Sequence, residues 1–105
     1  MRLTVTENIN EYYVQTLCLL FFPNERFSKA EADDPDAPSA DVKLTESDDF
    51  AHAEVTLSRG GKTVTRSHDE PMNGNSIISD ARKTAIGKAF FEAGKALTGI
   101  KPLWG

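Results

Sequence analysis

The sequence predicts one small α+β domain: an antiparallel sheet of three to four strands with two helices packed on one face, in the order β-α-β-β-β-α. Three observations carry this expectation. Several short stretches alternate apolar and polar residues with period two. Two longer stretches place their apolar residues at helical spacing. Between two of the alternating stretches stands Gly60-Gly61, a pair suited to a two-residue hairpin turn because both central positions can take positive φ.

The elements follow in order. Leu3-Thr4-Val5-Thr6 alternates as a half-buried strand does. Asn8 or Asn10 can cap the helix that follows. From Glu11 to Phe22, Tyr13, Leu17, Leu20 and Phe21 share one helical face. Leu19 and Phe22 widen that face, so this helix is expected to be covered on more than one side. Pro23-Asn24 ends it. Glu25 to Ala40 is expected to be a mobile acidic loop, since Asp33, Asp34, Pro35, Asp36, Ala37, Pro38 and Ser39 offer little apolar surface to bury.

Three strands are then expected, around Val42 and Leu44, over Ala53, Val55 and Leu57, and from Lys62 to His68. Counting outward from Gly60-Gly61 pairs Arg59 with Lys62, Leu57 with Val64, Val55 with Arg66 and Ala53 with His68. Leu57 and Val64 then face the core, Thr56 and Thr65 face solvent, and Arg66 and His68 lie on the core side at its rim. Asp69 to Asn75 reads as a turn broken by Pro71 and Gly74. Asn75 or Ser76 caps a second helix that runs to about Thr98. Ile78, Ala81, Ala85, Ile86, Ala89, Phe90, Ala93 and Leu97 form its apolar face. Gly99 stops it, with Pro102 just beyond.

A chain of 105 residues has room for one core. Its longest apolar run, Leu17 to Phe22, is far short of the roughly 20 residues a membrane helix needs. No basic segment followed by an apolar run marks a secretory leader. The single Cys18 fits a reducing, cytoplasmic setting and reads as a small buried hydrophobe. The net charge of −4 is unevenly spread: nine acids stand between Glu25 and Asp49, whereas eight bases face four acids from Arg59 onward. The acidic half argues against tight nucleic-acid binding, which needs a concentrated basic face.

Catalytic patterns are missing from the sequence. Two histidines and one cysteine are too few for a structural zinc site. His68-Asp69-Glu70 has no Gly-x-Ser-x-Gly nucleophile to serve. The acids at 33–36 lack the alternating ligand pattern of a calcium loop, and Gly60-Gly61 lacks the Lys-Ser/Thr pair of a phosphate loop. No catalytic, cofactor-binding or metal-binding residue is therefore assigned.

Candidate contact residues are a different matter. Gly87 and Gly94 lie seven apart on one helical face, where the other helix or a neighbouring domain would pack closely, unless the glycines are simply tolerated. Phe91 falls near Lys88 and Lys95 on the outer face, an interface signal. Trp104 has little chain after it to cover it, so it either folds back on the sheet or precedes a second domain. Gly87, Phe91, Gly94 and Trp104 are the candidate interdomain or partner contacts.

The stretch from Lys88 to Gly105 resembles the segment that leads into the catalytic domain of oxygen-independent coproporphyrinogen III oxidase-like proteins, which are radical S-adenosylmethionine enzymes. In that family a helix ending in Leu-Thr-Gly is followed by Pro-x-Trp-Gly or similar. The matching residues are Leu97, Thr98, Gly99, Pro102, Trp104 and Gly105. The family's Cys-x-x-x-Cys-x-x-Cys motif, which holds an iron–sulfur cluster, has no counterpart here, so no catalytic residue carries over. The resemblance implies a non-catalytic N-terminal domain spanning 1–105, with 100–105 opening a linker to the catalytic barrel. Its partner would be that C-terminal domain, which would hold the S-adenosylmethionine and the cluster and act on porphyrinogens in haem biosynthesis.

Two further readings belong to other classes. Three strands and a final helix suit a small module of the double-stranded-RNA-binding kind, with Arg82 and Lys83 as its basic contacts. The Gly87/Phe91/Gly94 face suits a self-associating domain.

Overall fold

The structure, a computed structural model, describes residues 1–24, 27, 37–72 and 78–101. Its elements are β1 (Arg2–Val5), α1 (Glu11–Phe21), β2 (Ser39–Glu46), β3 (Phe50–Arg59), β4 (Lys62–Pro71) and α2 (Ile78–Thr98). The strands form one sheet in the order β1-β2-β3-β4. This is the α+β arrangement that the sequence predicts. The acids at 31–36, the helix caps at Asn75 and Ser76, and Trp104 lie outside the described residues.

The Gly-Gly turn fixes the register of the hairpin. Gly60 has φ 58° and Gly61 φ 81°, both in the left-handed region that glycine enters without a steric cost. Arg59 pairs with Lys62, Leu57 with Val64, Val55 with Arg66 and Ala53 with His68, as counted from the turn. Thr56 and Thr65 meet hydroxyl to hydroxyl at 3.0 Å on the opposite, solvated face. β2 adds to β3 antiparallel, with Val42 opposite Val55 and Leu44 opposite Ala53.

Three features depart from the sequence expectations. β1 joins the sheet edge parallel to β2, pairing Leu3 with Ala40 and Val5 with Val42, so the sheet is mixed. A strand–helix–strand crossover brings its second strand back in the sense of the first, which is why α1 between them imposes a parallel pair. β2 begins at Ser39, inside the span expected to be loop. β4 runs on through Asp69 and Glu70 to Pro71, where a turn was expected. Pro71 is tolerated because β4 is an edge strand, where a missing N–H breaks no inner ladder.

Both helices cover the same face of the sheet. Ala40, Val42, Leu44, Ala51, Ala53, Val55, Leu57 and Val64 point into a single core with Val14, Leu17, Cys18 and Phe21 of α1 and Ala81, Ala85, Ile86, Ala89, Phe90, Ala93 and Leu97 of α2. Alanines line α2 where it crosses the sheet, and this lets the helix lie close to β3 and β4. The link from β1 to α1 is hooked onto β2: Leu44 N donates to Thr6 Oγ1 at 3.1 Å and Asn8 Nδ2 donates to Leu44 O at 3.1 Å. Asn10 then caps α1, its side chain accepting from Tyr12 N at 3.0 Å. At the far end Gly99, with φ 76°, closes α2 and donates its N–H to Lys95 O at 2.9 Å.

Candidate interdomain surface

The helices meet along a seam set by two glycines. α1 and α2 run side by side in the same sense, with Tyr13 beside Lys83 and Gly87, and Phe21 beside Gly94. A Cβ at Gly94 would stand 2.6 Å from three atoms of the Phe21 ring. One at Gly87 would stand 3.0 Å from the Tyr13 hydroxyl. The Phe21 ring has Phe90 at 5.9 Å, tilted, and Phe91 at 6.0 Å, edge-on. Tyr13 donates its hydroxyl to Lys83 O at 3.0 Å, and the Lys83 ammonium lies 5.9 Å from the Tyr13 ring centroid. Burial raises the Tyr13 hydroxyl above its ordinary pKa.

Gly87, Phe91 and Gly94 are thus brought together, and what Gly87 and Gly94 meet is α1 of the same chain. Phe91 is half-buried on this seam and packs against Phe21, rather than standing on a polar face. Trp104, the fourth candidate, lies outside the described residues.

The outer side of α1 carries residues that the sequence pattern did not single out as contacts. The core takes Val14, Leu17, Cys18 and Phe21, while Tyr13 and Leu20 are only half-buried. Leu19, expected to be covered, is 44% exposed, and Tyr12 is 79% exposed. Tyr12 and Leu19 are seven residues apart, and so lie on one helical face. Thr16 sits between them and turns its hydroxyl back onto Tyr12 O at 3.0 Å. The signal for this surface was in the sequence: within α1 only Glu11, in the first turn, is charged.

Polar pairs bind the rest of the framework. Arg82 of α2 is ion-paired with Glu46 at the end of β2: Nη2 donates to Oε2 at 2.9 Å, while Nε lies 2.6 Å from Oε1 without forming a hydrogen bond. Glu70 Oε2 lies 2.9 Å from His68 Nε2 and 3.4 Å from Lys88 Nζ, which ties β4 to α2. The hydrogen bond from His68, with help from Lys88, lowers the Glu70 pKa below the usual carboxylate range. Lys62 Nζ donates to Ala96 O at 3.2 Å, a cation on the carbonyl end of α2. His52 pairs with Asp69 across β3 and β4 on the open sheet face.

These pairs join strand to strand and strand to helix. Cys18 is buried, and burial pushes its thiol up to about 12, far from a reactive thiolate. Among the described residues, no group of three His, Cys, Asp or Glu side chains converges as a metal site would require. An open depression of about 390 Å3 runs along β1, lined by Arg2, Leu3, Thr4, Val5 and Glu11. No helix among the described residues is long and apolar enough to cross a membrane.

No protein-family model matches the chain, and no curated protein matches it. Among solved structures, the N-terminal domain of Thermus thermophilus Protein Y is similar, with a TM-score of 0.47 and 16% identity over 90% of this chain and 94% of that one. So distant a likeness carries no argument about function.

Proposed function

We propose that this is the N-terminal accessory domain of a radical S-adenosylmethionine enzyme of the coproporphyrinogen III oxidase-like kind, and that it packs on a catalytic barrel supplied by the same polypeptide. The observation that carries this reading is the end of α2. Leu97, Thr98 and Gly99 belong to the segment that resembles the family, and they build the helix stop that the resemblance requires. Leu97 is buried, Thr98 Oγ1 donates to Gly94 O at 2.7 Å, and Gly99 takes the left-handed conformation. Ile100 N then donates to Thr98 Oγ1 at 3.1 Å, which aims the chain away from the helix.

The iron–sulfur cluster finds no ligands in this chain. Such a cluster is held by several thiolates, whereas the chain has one cysteine and that one is buried. On this reading the cluster, the S-adenosylmethionine and the porphyrinogen substrate belong to the barrel. The domain's part is mechanical: it packs on the barrel or shapes access to it.

The test is direct. Sequencing the gene past the Gly105 codon should reveal a Cys-x-x-x-Cys-x-x-Cys motif, and the purified full-length protein should show iron–sulfur absorption and reductive cleavage of S-adenosylmethionine. A stop codon directly after Gly105 would end the proposal. The double-stranded-RNA reading has less support, because Arg82 is held by Glu46 and Lys83 lies over Tyr13. The self-association reading loses its surface, because α1 already occupies Gly87 and Gly94.

A further inference from the structure

We infer that the outer edge of β1 pairs with β1 of a second copy of this chain, antiparallel about a two-fold axis through Thr4, so that two sheets join into one. The inference stands on the backbone of β1, is separate from the Gly87/Gly94 seam and does not depend on the proposed function.

The order β1-β2-β3-β4 leaves β1 at an edge, with no strand beyond it among the described residues. Its hydrogen bonds show which residues face that edge. Arg2 N donates to Pro38 O at 3.1 Å and Thr6 N donates to Val42 O at 3.2 Å, so the even-numbered residues turn their backbone groups toward β2. Successive residues of a strand aim those groups to opposite sides, so the N–H and C=O of Leu3 and of Val5 point outward. They meet the open depression lined by Arg2, Leu3, Thr4, Val5 and Glu11. Donors and acceptors in such a row are a template for another strand.

The two edges of the sheet differ in how they treat that hazard. β4 carries Lys62, Arg66, Asp69 and Glu70 and ends on Pro71, and charges and proline are what blunt an edge against pairing. In β1 only Arg2 is charged, and the two residues that open outward, Leu3 and Val5, are apolar.

Self-complementarity selects the occupant. A second β1, turned about an axis through Thr4, sets its Val5 opposite Leu3 and its Leu3 opposite Val5. Each of these pairs exchanges two hydrogen bonds, as the hydrogen-bonded pairs of an antiparallel ladder do. Thr4, exposed on the open sheet face, meets its own counterpart between them, and threonine pairs well with threonine across strands. Val5, half-buried, gains a Leu3 as cover. Charge obeys the same symmetry. Arg2 stands at one end of the depression and Glu11, in the first turn of α1, lines it at the end where the helix begins. Inversion of the second copy brings its Arg2 toward Glu11 and its Glu11 toward Arg2, the same patch serving both sides.

Sedimentation velocity tests this on the 105-residue chain, which carries its own core. The expected result is a dimer that grows with protein concentration. Thr4→Lys, a change at an exposed position, sets like charges opposite each other at the axis and should raise the dissociation constant by about tenfold. Arg2→Glu should weaken the dimer, and adding Glu11→Arg should restore it. Thr4→Cys should form an interchain disulfide under mild oxidation, because directly opposite residues have Cβ atoms about 4.5–5.5 Å apart. Lys43→Cys, on β2, should not. Circular dichroism checks that each variant keeps its fold. A chain that stays monomeric at every concentration would overturn the inference. So would a dimer that Thr4→Lys leaves intact, a charge swap that restores nothing, or a disulfide that forms as readily at position 43 as at position 4. A monomer that captures an unrelated extended peptide along β1 would also overturn it, since the occupant would then not be a second copy.

Discussion

Gly94→Ala is the sharpest test of the helix seam. In an exposed helix the change would stabilise by about 1 kcal/mol, because alanine is the better helix former. Here the new Cβ would stand 2.6 Å from three atoms of the Phe21 ring, where ordinary contact begins at 3.4 Å. The ring would have to retreat by the difference, 0.8 Å. Phe21 is buried, with Phe90 and Phe91 against it, so it has no open side to move into. Overpacking of this kind costs about 1–3 kcal/mol, and three simultaneous clashes in a boxed ring place the cost in the upper half of that range. Subtracting the helix gain leaves a net loss of about 1–2 kcal/mol, or a fall in Tm of roughly 5–10 °C for a domain of this size.

The assay is urea and thermal unfolding followed by far-UV circular dichroism, with Gly87→Ala as the contrast. At Gly87 the Cβ would meet only the tip of Tyr13 at 3.0 Å, on a half-buried side chain that can give by a few tenths of an ångström. The helix gain should roughly cancel that cost, and Gly87→Ala should stay within about 0.5 kcal/mol of the parent. In a Phe21→Leu background, which removes the ring atoms, Gly94→Ala should become neutral or stabilising, a coupling that a double-mutant cycle reads directly. If Gly94→Ala in the parent background matches or exceeds parental stability, the close approach of the helices is wrong.

Three other outcomes are expected. Gly99→Ala should destabilise by about 1 kcal/mol in the same unfolding assays, because φ 76° places an L side chain in the left-handed region. Glu70, whose pKa is lowered in the folded state, contributes stability above its unfolded value of about 4.3 and loses it as pH falls through the lower folded value. Glu70→Gln should therefore lose less stability than the parent between pH 6 and 3, and identical pH profiles would contradict the Glu70–His68 bond. Cys18, with its buried thiol raised to about 12, should resist iodoacetamide at pH 8 in the folded protein and react promptly in urea.

The parts of the fold that local chemistry determines were legible in the sequence. Gly60-Gly61 set the hairpin and its register, since only a tight turn with two positive φ angles joins those strands. Gly99 marked the end of α2 for the same stereochemical reason. What escaped depends on tertiary context. The parallel pairing of β1 follows from the path of α1 across the sheet, which no local pattern encodes. The continuation of β4 through Asp69 to Pro71 contradicts the turn propensity of those residues, and is permitted because they sit on an edge beside β3. Helical periodicity placed Leu17 and Phe21 correctly in the core but assigned Leu19 a cover. In an almost uncharged helix, periodicity cannot tell the side facing the sheet from the side facing outward.

The open face of the sheet and the outer face of α1 differ in what covering them would require. On the open face of the sheet, polar groups answer one another across strands: Thr56 with Thr65, Ser58 with Thr63 at 2.9 Å, and His52 with Asp69. Lys43 and Glu54 stand opposite each other there as well. A partner on that face would have to match every remaining donor, acceptor and charge, or leave it buried at about 1–3 kcal/mol for each unsatisfied group. The outer α1 face imposes a lighter demand: Leu19 offers apolar area and Thr16 has turned its hydroxyl onto Tyr12 O, which leaves the Tyr12 hydroxyl and the Gln15 amide to be matched.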